Sequence, residues 1–211
     1  MLWVAGTSAL CLLICLPLFM LYKRRLQYVL AAMYKAAGTL CAMIPALVAA
    51  IRLDPRCWII AAGMLLHSAA DYILEFNLYI GAGVFAAGHI CLIAYFTQLY
   101  PIGAVQLICM LCFLGIMAYA FWRWKKAMDK QLPLFIVYGV ILCLMCAAAM
   151  GGFTAASLQG ILAACGGALF FVSDFMLCRR MRFPAGQGIN WAIMITYYAA
   201  QILFGISCLV A

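Results

Sequence analysis

The sequence predicts an all-α integral membrane protein, a bundle of eight transmembrane helices forming one domain over residues 1–211. Hydrophobic residues make up 71% of the chain and charged residues only 9%, with a mean hydropathy of +1.17. A soluble fold cannot hide that much apolar surface. The apolar residues run in long uninterrupted stretches rather than in alternation, which points to spanning helices and away from the strands of a barrel. The charges gather in short clusters between those stretches, the distribution expected of topology determinants.

A span needs about 20 residues to cross the hydrocarbon. Breaking the chain at charge clusters, Pro and Gly gives helices at approximately 2–21, 28–51, 57–75, 79–98, 101–121, 132–150, 155–177 and 189–210. Only Met1 precedes the first apolar run, and its cations, Lys23, Arg24 and Arg25, follow it. That order is the reverse of a secretory signal peptide, so the run is expected to persist as a span.

Numbering the loops alternately puts Lys23, Arg24, Arg25, Arg123, Lys125, Lys126, Lys130, Arg179, Arg180 and Arg182 on one face and only Arg52 and Arg56 on the other. The crowded face is expected to be cytoplasmic, with both termini on the opposite side of a bacterial inner (plasma) membrane. An odd number of spans would scramble this asymmetry. The polar stretch Arg123 to Gln131 reads as a loop, and Glu75 and Asn77 read as solvated loop residues. A net charge of +8 raises the question of nucleic acid, but cations clustered between spans argue for membrane faces, and no nucleic-acid partner is expected. Most of the twelve cysteines fall inside spans, where Cys behaves as a small apolar residue. The spacings Cys109/Cys112 and Cys143/Cys146 lack the charged loop context of redox or zinc sites.

Two aspartates break the apolar runs in matching surroundings: Ser68-Ala69-Ala70-Asp71-Tyr72-Ile73-Leu74 and Phe171-Val172-Ser173-Asp174-Phe175-Met176-Leu177. Left charged in hydrocarbon, each would cost several kcal/mol. Only five acidic residues exist, so two of them at equivalent places point to a function that needs carboxyl groups. They stand 103 residues apart, four spans on, which fits a parallel duplication of a four-helix unit. Both are expected roughly 5–6 Å inside the cytoplasmic ends of helices three and seven.

Helices two, four and eight begin on the same face, and their early polar residues are Lys35, His89, Tyr197 and Gln201, the last two one turn apart. At depths of roughly 10–18 Å these side chains would floor a cytoplasm-facing cavity. Each also has a structural reading: Lys35 can snorkel to the interface, and His89, Tyr197 and Gln201 can join helices by hydrogen bonds. His67, one turn before Asp71, can orient it or serve packing alone.

At these residues the chain resembles the YhhN family of eight-span membrane proteins, which includes the lysoplasmalogenases. The first block, Lys35, Asp71 with Leu74, Tyr79 with Gly81, and Phe85 with His89, is similar to the family pattern. The second is closer: Gly167-Ala168-Leu169-Phe170-Phe171-Val172-Ser173-Asp174, then Phe183, then Thr196-Tyr197-Tyr198-Ala199-Ala200-Gln201. The chain departs from the pattern at Ala36, Ala70 and Leu92, where the family has Pro, Gly and an aromatic residue. His67 falls where the family has a small residue.

The resemblance implies hydrolysis of the vinyl-ether bond of a lysoplasmalogen to a fatty aldehyde and a glycerophospho-ethanolamine or glycerophosphocholine. Such a bond cleaves by protonation of its β-carbon to an oxocarbenium ion. One carboxyl must therefore act as a protonated acid, which apolar surroundings favour, and a second, ionised, can face the cation or activate water. Asp71 and Asp174 are the expected dyad, with either as the acid. Lys35 would hold the ionised member or the substrate phosphate, while His89, Tyr197 and Gln201 bind water and polar substrate atoms. The expected partners are a lysophospholipid and membrane lipids, with no cofactor and no metal; the oligomeric state stays open. Competing readings are an intramembrane aspartyl protease, whose Gly-x-Gly-Asp and Pro-Ala-Leu signatures are missing; a metal hydrolase using His67, Asp71, His89 and Asp174; and a proton-coupled transporter or lipid-binding protein.

Overall fold

The computed structural model describes residues 2–210. Eight helices follow one another, with no strand among the described residues: α1 (Trp3–Arg24), α2 (Tyr28–Arg52), α3 (Cys57–Ile73), α4 (Leu78–Leu99), α5 (Ala104–Met128), α6 (Leu132–Met150), α7 (Leu158–Arg180) and α8 (Gln187–Ser207). Seven are long and apolar enough to cross a membrane; α3, with 17 residues, is shorter and equally apolar. The chain is a multi-pass, all-α membrane protein.

Local sequence explains the irregularities. Within α1, residues Leu10–Cys15 form a π-helical turn directly before Leu16-Pro17. Pro17 has no N–H to offer and its ring crowds the carbonyl four residues back, and the widened turn absorbs both effects. The stretch read from sequence as a loop, Arg123 to Gln131, is corrected here: α5 continues to Met128 and a 3₁₀ turn follows at Asp129–Gln131. Lys, Arg, Ala and Met are good helix formers, and Lys125 and Lys126 in the last turn lie where the helix dipole favours cations. Arg179 and Arg180 close α7 in the same way.

Glu75 is also corrected, whereas Asn77 is an exposed loop residue as expected. Glu75 forms an ion pair with Lys23 and its side chain is only 6% exposed. Asn77 is the N-cap of α4, its Oδ1 accepting from the Ile80 N–H at 3.0 Å. On the opposite face Arg56 Nη2 lies 2.8 Å from Asp54 Oδ2, and the guanidinium holds the Asp54 carboxyl below the usual range. All twelve cysteines are free thiols.

Helices α2, α3, α4, α6, α7 and α8 pack in that order into a closed ring, with α1 outside against α2 and α5 outside against α6. Advancing four helices along the chain turns every one of these neighbouring pairs into another neighbouring pair. That is the arrangement a duplicated four-helix unit makes. Small residues allow close approach where the halves meet: a Cβ on Gly205 of α8 would stand 2.3 Å from the Ala42 carbonyl oxygen of α2.

Candidate functional site

The ring encloses a pocket of about 830 Å³, open space at its mouth included, to which every helix except α1 contributes. Its lining comes from the ends of the helices nearest the basic clusters: the start of α2, α4, α6 and α8 and the end of α3 and α7. Most of the wall is Leu, Phe and Met, and against it stand Lys35, Asp71, Tyr138, Ser173, Asp174 and Tyr197. The two aspartates share one cavity.

Their surroundings differ. Asp71, near the end of α3, has an exposure of 1%. Its Oδ2 accepts from the Thr39 hydroxyl at 2.6 Å and the Tyr197 hydroxyl at 2.7 Å, and its Oδ1 faces Lys35 Nζ at 3.2 Å. Lys35 and Thr39 lie one turn apart on α2, so a single helix face supplies both. Lys35 thus points inward, 11% exposed, rather than snorkelling outward. The Tyr198 hydroxyl secures this turn by donating to the Lys35 carbonyl at 2.9 Å.

Tyr197 is held in turn by Gln201, whose amide nitrogen donates to its hydroxyl oxygen at 3.1 Å and lies 2.9 Å from His67 Nδ1. The network closes on α3, which carries both His67 and Asp71. Gly88 makes room for the His67 ring: a Cβ there would sit 2.4 Å from His67 Cδ2.

Asp174 on α7 accepts from the Tyr138 hydroxyl, and that hydroxyl lies 3.1 Å from His89 Nε2. The neighbouring Ser173 ties α7 to α8 by donating to the Ile193 carbonyl at 3.0 Å. Beneath the cavity the His67 and His89 rings meet edge-on with centroids 4.9 Å apart, and Phe85 stacks on His67 at 4.5 Å. The floor is aromatic, and it joins the two networks.

All six residues singled out from sequence converge on this region. Lys35, Asp71, Asp174 and Tyr197 line the cavity itself, whereas His89 and Gln201 are fully buried behind Tyr138 and Tyr197 and reach it only through those hydroxyls. No group of three or more His, Cys, Asp or Glu side chains among the described residues is placed to hold a metal ion.

A model described as the YhhN family matches residues 30–208, a span that reaches every ring helix. The chain belongs to the YhhN family. No curated protein and no solved structure matches it.

Two residues of this YhhN chain escaped the sequence reading: Thr39, which donates to Asp71, and Tyr138, which donates to Asp174. The duplication holds the signal for the second. Tyr138 precedes Asp174 by 36 residues, the same interval that separates Lys35 from Asp71. The two halves therefore place a cation and a phenol at equivalent seats beside equivalent acids.

Proposed function

We propose that this protein is a membrane-embedded hydrolase that cleaves the vinyl-ether bond of lysoplasmalogens, releasing a fatty aldehyde and a glycerophospho-ethanolamine or glycerophosphocholine. Family membership is compatible with a membrane hydrolase. The observation that carries the finer reading is the unlike dressing of two carboxyls in one cavity. Asp71 faces a cation and two hydroxyl donors, all of which favour an anion. Asp174 has a phenol beside it and no cation within ion-pair distance among the described residues.

Asp174 is accordingly the acid. It gives its proton to the β-carbon of the vinyl ether, and the enol-ether electrons leave an oxocarbenium ion that the Asp71 carboxylate faces. Water adds to the cationic carbon and passes a proton to Asp174, which regains its starting state. The resulting hemiacetal collapses, the C–O bond to glycerol breaking as the hydroxyl proton moves to the departing oxygen. One water is consumed and one aldehyde and one alcohol are formed. The division between a protonated and an ionised carboxyl is that of glycosidases. The apolar wall suits the aliphatic chain, and the basic clusters at the mouth suit the phosphate. The same clusters favour a cytoplasmic mouth, with both termini across the membrane.

The test is to incubate purified protein with alkenyl, alkyl and acyl lysophospholipids and assay free aldehyde by mass spectrometry. Aldehyde is expected from the alkenyl lipids alone and is expected to vanish in Asp71→Asn and Asp174→Asn variants that remain folded. No aldehyde from any alkenyl lipid would overturn the reading. The buried Asp174–Tyr138–His89 chain also suits a proton relay. Proton-coupled solute uptake in proteoliposomes, without product from any ether lipid, would favour a transporter instead.

A further inference from the structure

On the outside of the ring, α5 leans against α6 and leaves a groove of about 730 Å³, open surroundings included. Its walls are apolar, with Leu114, Ala118 and Trp122 on α5 and Ile136 and Val140 on α6, and Lys125 stands at the end toward the basic clusters. Met117 and Phe121 line both this groove and the central cavity. They are 4% and 8% exposed. Gly139 of α6 makes room for them, since a Cβ there would stand 3.1 Å from Met117 Cε and from the Phe121 ring. Two residues, Met117 and Phe121, thus form the wall shared by the outer groove and the pocket that holds the carboxyls. One of them is methionine, unbranched and with three rotatable bonds.

We propose that the α5–α6 groove is the lateral path by which the aliphatic chain of a single-chain lysophospholipid enters the central cavity, passing Met117 and Phe121 while its phosphate stays beside Lys125. This rests on the hydrolase reading. An apolar groove on the outside of membrane-spanning helices is bathed in hydrocarbon, and the cavity lies directly behind the two side chains that line both. Lys125 supplies the charge complementary to a lipid phosphate at the end where that phosphate must remain. For a chain to pass, Met117 and Phe121 must swing aside, and a gap left by two side chains suits one chain rather than two. The cavity carboxyls lie toward the basic ends of the helices, as does Lys125, so a lipid held by its phosphate presents the bond nearest its headgroup to them.

The experiment places the protein in nanodiscs with a lysophosphatidylethanolamine carrying a diazirine at the end of its chain. After irradiation the labelled residues are mapped by mass spectrometry. Labelling is expected to concentrate on Met117, Phe121 and the groove walls, several-fold above Leu107 and Leu111, which are exposed on α5 outside the groove. A two-chain phosphatidylethanolamine with the same photogroup is expected to label both regions evenly. Even labelling by the lysolipid, or equal enrichment by the two-chain lipid, would overturn the path. Groove labelling without aldehyde from any alkenyl lipid would leave the path standing and remove the hydrolase reading; aldehyde release with even labelling would do the reverse.

Discussion

Exchanging Lys35 for Met and Asp71 for Asn, singly and together, measures whether this buried pair acts as a unit. At the observed 3.2 Å and an effective dielectric constant of about 20, two full charges attract by about 5 kcal/mol. Taking both out of water offsets most of that gain, since the Asp71 side chain is 1% exposed and that of Lys35 11%. The pair therefore adds little net stability, while removing one partner leaves the other charge uncompensated at a cost of about 3–5 kcal/mol. Asp71→Asn carries an added conflict. Thr39 and Tyr197 both donate to Oδ2, so an amide oxygen placed there turns its NH₂ toward the Lys35 ammonium. The double variant keeps an acceptor for both hydroxyls and removes both charges, and it is expected within about 1 kcal/mol of the parent. The coupling energy is then several kcal/mol, far above the few tenths seen for independent sites. Unfolding in bicelles titrated with a denaturing detergent, followed by tryptophan fluorescence, reads all four corners of the cycle. Single variants that each cost under about 1 kcal/mol and add in the double would refute the assignment of Lys35 as the counter-ion of Asp71.

Tyr138→Phe removes the hydroxyl between His89 and Asp174 without emptying its volume; loss of a hydrogen bond that becomes charge-assisted only as Asp174 gives up its proton predicts a roughly 10–100-fold fall in kcat with little change in unfolding. Parent turnover by the Phe variant would take Tyr138 out of the chemistry. Gly88→Ala would put a methyl 2.4 Å from His67 Cδ2 and 2.8 Å from the Gly63 carbonyl oxygen, forcing α3 and α4 apart. A loss of about 1–3 kcal/mol is expected, and an unchanged unfolding midpoint would contradict that packing. Aldehyde release should persist after dialysis against a strong chelator; a loss restored by zinc would move the chemistry to a metal centre.

The helices were legible because hydropathy is a local property: each apolar run declares itself without reference to its neighbours. Asp71, Asp174 and Lys35 were legible because a charge inside such a run is costly and must be compensated. Tyr138 and Thr39 carry no such signal, since tyrosine and threonine commonly serve spanning helices as hydrogen-bonding residues. Only the 36-residue interval before each acid distinguishes Tyr138, and that interval acquires meaning once α6 is seen to occupy the place of α2. Glu75 was misread because its partner, Lys23, lies 52 residues away on another helix, a pairing no loop composition reveals. The end of α5 was misread because cations were taken as marking a loop, whereas they also suit a helix C-terminus.

The ring's self-matching order has a consequence for how the two acids became different. In an assembly of two identical four-helix chains, whatever side chain stood 36 positions ahead of one acid would stand ahead of the other as well, and the pair would be chemically alike. Joining both halves in one polypeptide frees each seat to hold its own occupant. Here one neighbour is an ammonium and the other a phenol, so a symmetric scaffold presents its cavity with two acids in unlike company.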